Sequence, residues 1–94
     1  MTTSSREIKF CVIGSSSRAF TAHLTSIRKV EGVKVIKRRN KPFYDVSGNI
    51  DAAAFKDVGA ALALLMDECG AQLEIPDEQT KTELLAIIKP IIEG

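Results

Sequence analysis

The reading of the fold turns on Asn49-Ile50-Asp51-Ala52-Ala53-Ala54-Phe55 and the helix this stretch opens, which the pattern predicts to run to Cys69 and stop at Gly70. Phe55, Val58, Leu62, Leu65, Met66 and Cys69 recur at spacings of three and four, so one face is continuously apolar and has to be covered. A sheet covers such a stripe best. Ala52, Ala53, Ala54, Ala60, Ala61 and Ala63 favour helix at almost no side-chain entropy cost. Asp51 is the expected N-cap, its carboxylate accepting from a backbone N–H left unpaired in the first turn.

Upstream, Glu7 to Gly14 alternates and then turns fully apolar, as an interior strand does. Ser15, Ser16 and Ser17 can each cap the next helix, whose buried stripe is Phe20, Leu24, Ile27 and Val30 and whose left-handed stop is Gly32. Val33 to Arg39 reads as a strand with one solvated face, Asn40-Lys41-Pro42 as a hairpin turn and Phe43 to Val46 as the third strand. Ser47-Gly48-Asn49 is expected to break regular structure before the central helix.

Downstream, Gln72 to Ile75 is a fourth strand closed by Pro76, which suits an edge. Thr80-Lys81-Thr82-Glu83 has the capping-box pattern and should start a last helix, with Leu84, Ile87, Ile88 and Ile91 as its apolar face and Pro90 kinking or ending it. The order strand, helix, strand, strand, helix, strand, helix predicts an α+β fold: a two-layer open-faced sandwich in which three helices cover one face of a mainly antiparallel four-stranded sheet. Residues 1–6 are expected as a flexible tail and residues 7–94 as a single domain, because 94 residues with 45% hydrophobic content support one core and not two.

The net charge of +1 says nothing about partners, but its distribution does. Arg28, Lys29, Lys34, Lys37, Arg38, Arg39 and Lys41 face only Glu31, whereas the balance from Asp51 to Glu83 is acidic. A basic hairpin can follow a phosphate backbone, yet only Phe43 and Tyr44 stand near it for stacking and there is no Trp; a solvated strand face explains the same run. Cys11 and Cys69 read as reduced, buried thiols. With His23 they offer no paired motif for a metal, and His23 reads as a half-buried helix residue. Ser15, Ser16, Ser17 and Arg18 form a candidate anion or partner site, since a helix start supplies N–H donors, hydroxyls and a cation; ordinary capping is the alternative. No catalytic arrangement and no cofactor motif is found, so a non-enzyme is expected. Met1 to Arg6 lacks the apolar core of a signal peptide, and no apolar run approaches the roughly twenty residues of a membrane span. A cytoplasmic location is expected.

The order of elements, with Asn49 to Phe55 and the preceding Tyr44-Asp45-Val46-Ser47-Gly48, resembles the histidine-containing phosphocarrier HPr of bacterial sugar phosphotransferase systems, whose second helix opens on Val-Asp-Ala-Lys-Ser-Ile. The resemblance implies a partner face made by the start of the first helix (Ala19, Phe20) and the first turns of the central one (Ala54, Phe55), contacting phosphotransferase-system or regulatory proteins. HPr carries its phosphoryl group on the histidine of Gly-Leu-His-x-Arg-Pro-Ala. Here the stretch is Gly14-Ser15-Ser16-Ser17-Arg18-Ala19-Phe20, with Ser16 or Ser17, by register, at the histidine, and Ala54 replaces the regulatory serine. The resemblance therefore implies a regulatory or interaction role without phosphorylation. That role expects Phe20 and Phe55 to be exposed.

Two other readings stand beside it. The first six elements have the βαββαβ order of ferredoxin-like or ACT-like small-molecule-binding regulatory domains, which commonly bind ligands at paired interfaces; strand order discriminates, and a homo-oligomer would fit. Nucleic-acid binding through the basic hairpin is the third, and expects a steep salt dependence.

Overall fold

The computed structural model describes residues 5–14, 17–39 and 42–94. Its elements follow one another as β1 (Ser5–Ile13), α1 (Arg18–Arg28), β2 (Val33–Lys37), β3 (Phe43–Asp51), α2 (Ala52–Cys69), β4 (Gln72–Glu74) and α3 (Glu78–Glu93). The chain is an α+β two-layer sandwich with an antiparallel four-stranded sheet in the order β2-β3-β1-β4. Because β3 runs antiparallel to both β1 and β2, those two are parallel with β3 between them. By the same reasoning β3 and β4 are parallel with β1 between them. The sheet is thus two interlocked split βαβ units, the ferredoxin-like arrangement.

Alternation along the strands divides the two faces. Ile8, Phe10 and Val12 of β1 and Tyr44, Val46 and Ile50 of β3 point into the core, where they meet Phe20, Leu24 and Ile27 of α1 and Phe55, Val58, Leu62 and Leu65 of α2. Helix α2 lies between α1 and α3. Its small residues allow this: Ala61 and Ala63 are buried, and a Cβ on Gly59 would stand 2.6 Å from Cγ2 of Ile87 in α3. The other sheet face, with Glu7, Lys9 and Cys11 of β1 and Asp45, Ser47 and Asn49 of β3, has no helix over it among the described residues.

Both ends of α2 lie where the sequence puts them. Asp51 caps it, accepting from the Ala54 N–H at 2.8 Å, and Gly70 ends it in the left-handed conformation. Four boundaries differ from expectation. Residues 47–49 do not break the sheet: β3 runs on to Asp51, paired with β1 from Ser5 onward, so Ser5 and Arg6 belong to the sheet and not to a tail. Helix α1 stops at Arg28 with Lys29 as its cap, and Gly32, at φ +90°, serves the turn into β2 instead. Helix α3 starts at Glu78, earlier than the Thr80 cap. Asp77 caps it, and Thr80 is buried inside the first turn, donating its N–H to Asp77. Pro90 does not end α3, because the helix continues to Glu93; Pro90 and Ala86, whose carbonyl loses its partner, are both exposed, so water can serve that oxygen. The expected hairpin turn falls on Asn40 and Lys41, which lie outside the described residues, as do residues 1–4.

Candidate functional site

The residues singled out in the sequence do not form one site. Ser17 is the N-cap of α1, its hydroxyl accepting from the Phe20 N–H at 3.2 Å, with Arg18 and Ala19 exposed beside it; Ser15 and Ser16 lie outside the described residues. Phe20 is 0% exposed and Phe55 6%, which corrects the expectation that their rings would be offered to a partner. Both are core. Gly14 leaves room for the Phe20 ring, which lies 5.3 Å from that of Tyr44, and the Phe55 ring is capped by the Arg6 guanidinium at 4.6 Å. Tyr44 pairs with Val12 at one end of β1, and Arg6 sits near the other. The starts of α1 and α2 are therefore separated by most of a strand, roughly 20 Å at about 3.3 Å per residue. Ala54 is half-buried at the far end from Ala19.

A concave feature of the surface lies elsewhere, and it follows from the shortness of β4. Only Cys11, Val12 and Ile13 of β1 find partners in β4, so among the described residues no strand lies beside that edge of β1 from Ser5 to Phe10. A groove of about 900 Å³ opens there, within the range of about 300–1,000 Å³ usual for small-molecule sites. It crosses from the uncovered sheet face to the flank of the helices. Met66, Leu73, Ile75 and Leu85 supply an apolar wall, while Lys9, Arg38, Lys81, Asp45 and Glu74 supply charge.

At the sheet end of this groove Cys11 sits between Asp45 on β3 and Glu74 on β4. Cys11 is 7% exposed and its thiol is free, and burial pushes the thiol's pKa up; Arg38 opposes the shift, and Asp45 and Glu74 add to it. Such a thiol keeps its proton at neutral pH and is a poor nucleophile. Arg38 grips Asp45 with two donors, Nε at 3.0 and 3.1 Å from the carboxylate oxygens and Nη2 at 3.0 Å, and that pairing holds the guanidinium charged. The basic hairpin is thereby partly neutralised by its own strand. Lys9 and Lys81 make no salt bridge among the described residues.

His23 lies between α1 and α2, with Nε2 3.3 Å from Oε1 of Glu68. Among the described residues no three His, Cys, Asp or Glu side chains are grouped to hold a metal ion, and no helix is long and apolar enough to cross a membrane. The groove escaped the sequence reading because its walls come from β1, β3, β4, α2 and α3, and no spacing joins them. The usable signal was Pro76 closing a strand much shorter than its neighbours. Comparison of the chain with protein-family models, curated proteins and solved structures finds no match in any of the three.

Proposed function

We propose that this protein is a small-molecule-binding regulatory domain of the ferredoxin-like kind, taking its ligand in the groove beside the end of β4 and performing no catalysis. The observation that carries this reading is the groove itself: a half-open space of about 900 Å³ with an apolar wall and a charged rim, at the one edge of β1 that β4 leaves unpaired. The interlocked βαβ order supports it. The protonated Cys11 adds to the case against a nucleophile, and a reducing, cytoplasmic setting suits two free thiols. The test is amide chemical-shift mapping against a library of small organic acids and bases, with Leu85→Trp as the blocked control. Binders should move Lys9, Cys11, Leu73 and Lys81 together and lose their effect in the blocked variant. A library that moves none of these amides sinks the reading.

A second reading keeps the HPr-like role in bacterial sugar transport, by contact with phosphotransferase-system proteins and without phosphorylation. One observation favours it: Ser17, Arg18 and Ala19 are exposed at the start of α1, where the helix dipole favours an anionic partner. Incubation with the system's phosphoryl-donor enzyme and phosphoenolpyruvate, followed by intact-mass analysis beside authentic HPr, should show no adduct. An adduct lost in Ser16, Ser17 or His23 variants would restore the relay.

A further inference from the structure

The uncovered face of the sheet carries its charges in rows, and the rows follow from the strand register. Ile36, Asp45, Cys11 and Glu74 lie side by side across β2, β3, β1 and β4. The next row, two residues along the strands, is Lys34, Ser47 and Lys9. An acidic row therefore adjoins a basic one, about 6.7 Å away by strand geometry. Asp45 is held by Arg38, but Glu74, Lys9 and Lys34 are exposed and make no salt bridge among the described residues. Apolar surface completes the face: Ile36 is 57% exposed, and Phe43 and Ile13 pair on the far side of the acidic row, both half-buried.

We propose that this face pairs with the same face of a second copy of the chain, through a two-fold axis that runs across the strands between the two rows. Such an axis lays the basic row of each copy over the acidic row of the other, bringing Lys9 within reach of Glu74 of the opposite copy twice per dimer. Stacked sheets lie about 10 Å apart, a gap that a lysine and a glutamate span together. A two-fold axis along the strands would instead set each row on its own kind, acid toward acid. The mixture of signs also disfavours a partner of single charge, such as a nucleic-acid backbone, which would meet Glu74 and Asp45 as well as the lysines. Pairing of this kind buries Ile36, Phe43 and Ile13 and closes the sheet end of the groove. It stands on the register of the sheet and does not require the groove to hold a ligand.

The experiment is sedimentation equilibrium without ligand, from low micromolar to millimolar protein, on the wild type, Lys9→Glu, Glu74→Lys, the double variant, and an equimolar mixture of the two single variants. Lys9 and Glu74 are exposed, so all should fold, and circular dichroism checks this. The wild type should reach the mass of two chains. Each single reversal should weaken dimerisation by about tenfold or more, because like charges then meet across the axis. The double variant should recover, and the mixture should form a heterodimer that neither component forms alone. A wild type that stays monomeric throughout overturns the proposal. So does a dimer indifferent to both reversals, which would place its interface elsewhere. Neither result bears on ligand binding, which the shift mapping reads separately.

Discussion

Gly48 of β3 and Gly32 of the turn before β2 cross backbone against backbone. A Cβ on Gly48 would fall inside the carbonyl of Gly32, and one on Gly32 would stand 2.6 Å from the carbonyl oxygen of Asn49. Both glycines have positive φ, +155° and +90°, which side-chain-bearing residues rarely adopt. Gly48→Ala therefore combines backbone strain with a collision against main chain that has nowhere to retreat. It should cost at least about 2 kcal/mol, read as a fall in the urea midpoint. A midpoint within error of the wild type would show that the crossing is looser than this.

Arg6 ties α3 to the first strand. It pairs with Glu83, donates to the Thr80 hydroxyl at 3.3 Å and covers the Phe55 ring. The ion pair is screened, its side chains being 31% and 38% exposed, so the cation–π contact and the buried hydroxyl matter as much as the charge. Arg6→Ala should cost about 1–2 kcal/mol and speed hydrogen exchange in the first turns of α3 more than elsewhere. Uniform acceleration over the whole chain would mean that Arg6 supports the core generally and not the docking of α3.

The two thiols should behave differently. Cys69 is half-exposed at the end of α2, whereas Cys11 is buried and its pKa is raised, first by burial. A thiol reagent at mildly alkaline pH should modify Cys69 quickly and Cys11 only on unfolding. Rapid modification of Cys11 in the folded protein would contradict its placement under Arg38 and between two carboxylates.

Acid should loosen α3. The Thr80 hydroxyl and N–H both bond to the Asp77 carboxylate, and these bonds hold its pKa below the ordinary value of 3.8. The unfolded chain therefore binds this proton more readily than the folded one. The stabilisation is fully present above the ordinary value and is lost as pH falls through the lower, folded one. Asp77→Asn keeps a capping oxygen but removes the titration, so its stability should fall less steeply below about pH 4 than that of the wild type. Parallel acid curves for the two proteins would assign the loss to other carboxylates.

Helix α2 was legible because its signals are local: Asp51 and Gly70 act within one turn of themselves, and the apolar stripe repeats along one element. The extent of β3 was not, because residues 47–49 have turn-like side chains and are held extended by pairing with residues far away in sequence. Thr80 and Glu83 offered a capping pattern that Asp77 pre-empted, since Arg6, a residue from the other end of the chain, engages both. Phe20 and Phe55 could be placed on apolar stripes from periodicity, but only the packing of Gly14, Tyr44 and Arg6 around them shows that both rings are buried. The groove was the least legible part, being defined by where β4 stops.

The position of β1 at the centre of the sheet sets a timetable for the chain as it is made. Its partners are β3 and β4, both made after it, so β1 cannot be paired on both sides until Gln72 to Glu74 has been synthesised. The β2–β3 pair is the one close in sequence, and its short loop closes at small entropic cost, so it is the natural place for structure to begin. Until β3 and β4 arrive, the β-prone segment that carries Phe10, Val12 and Ile13 waits unpaired, and it is this interval, not the finished fold, that is most open to capture by a chaperone or by another nascent chain.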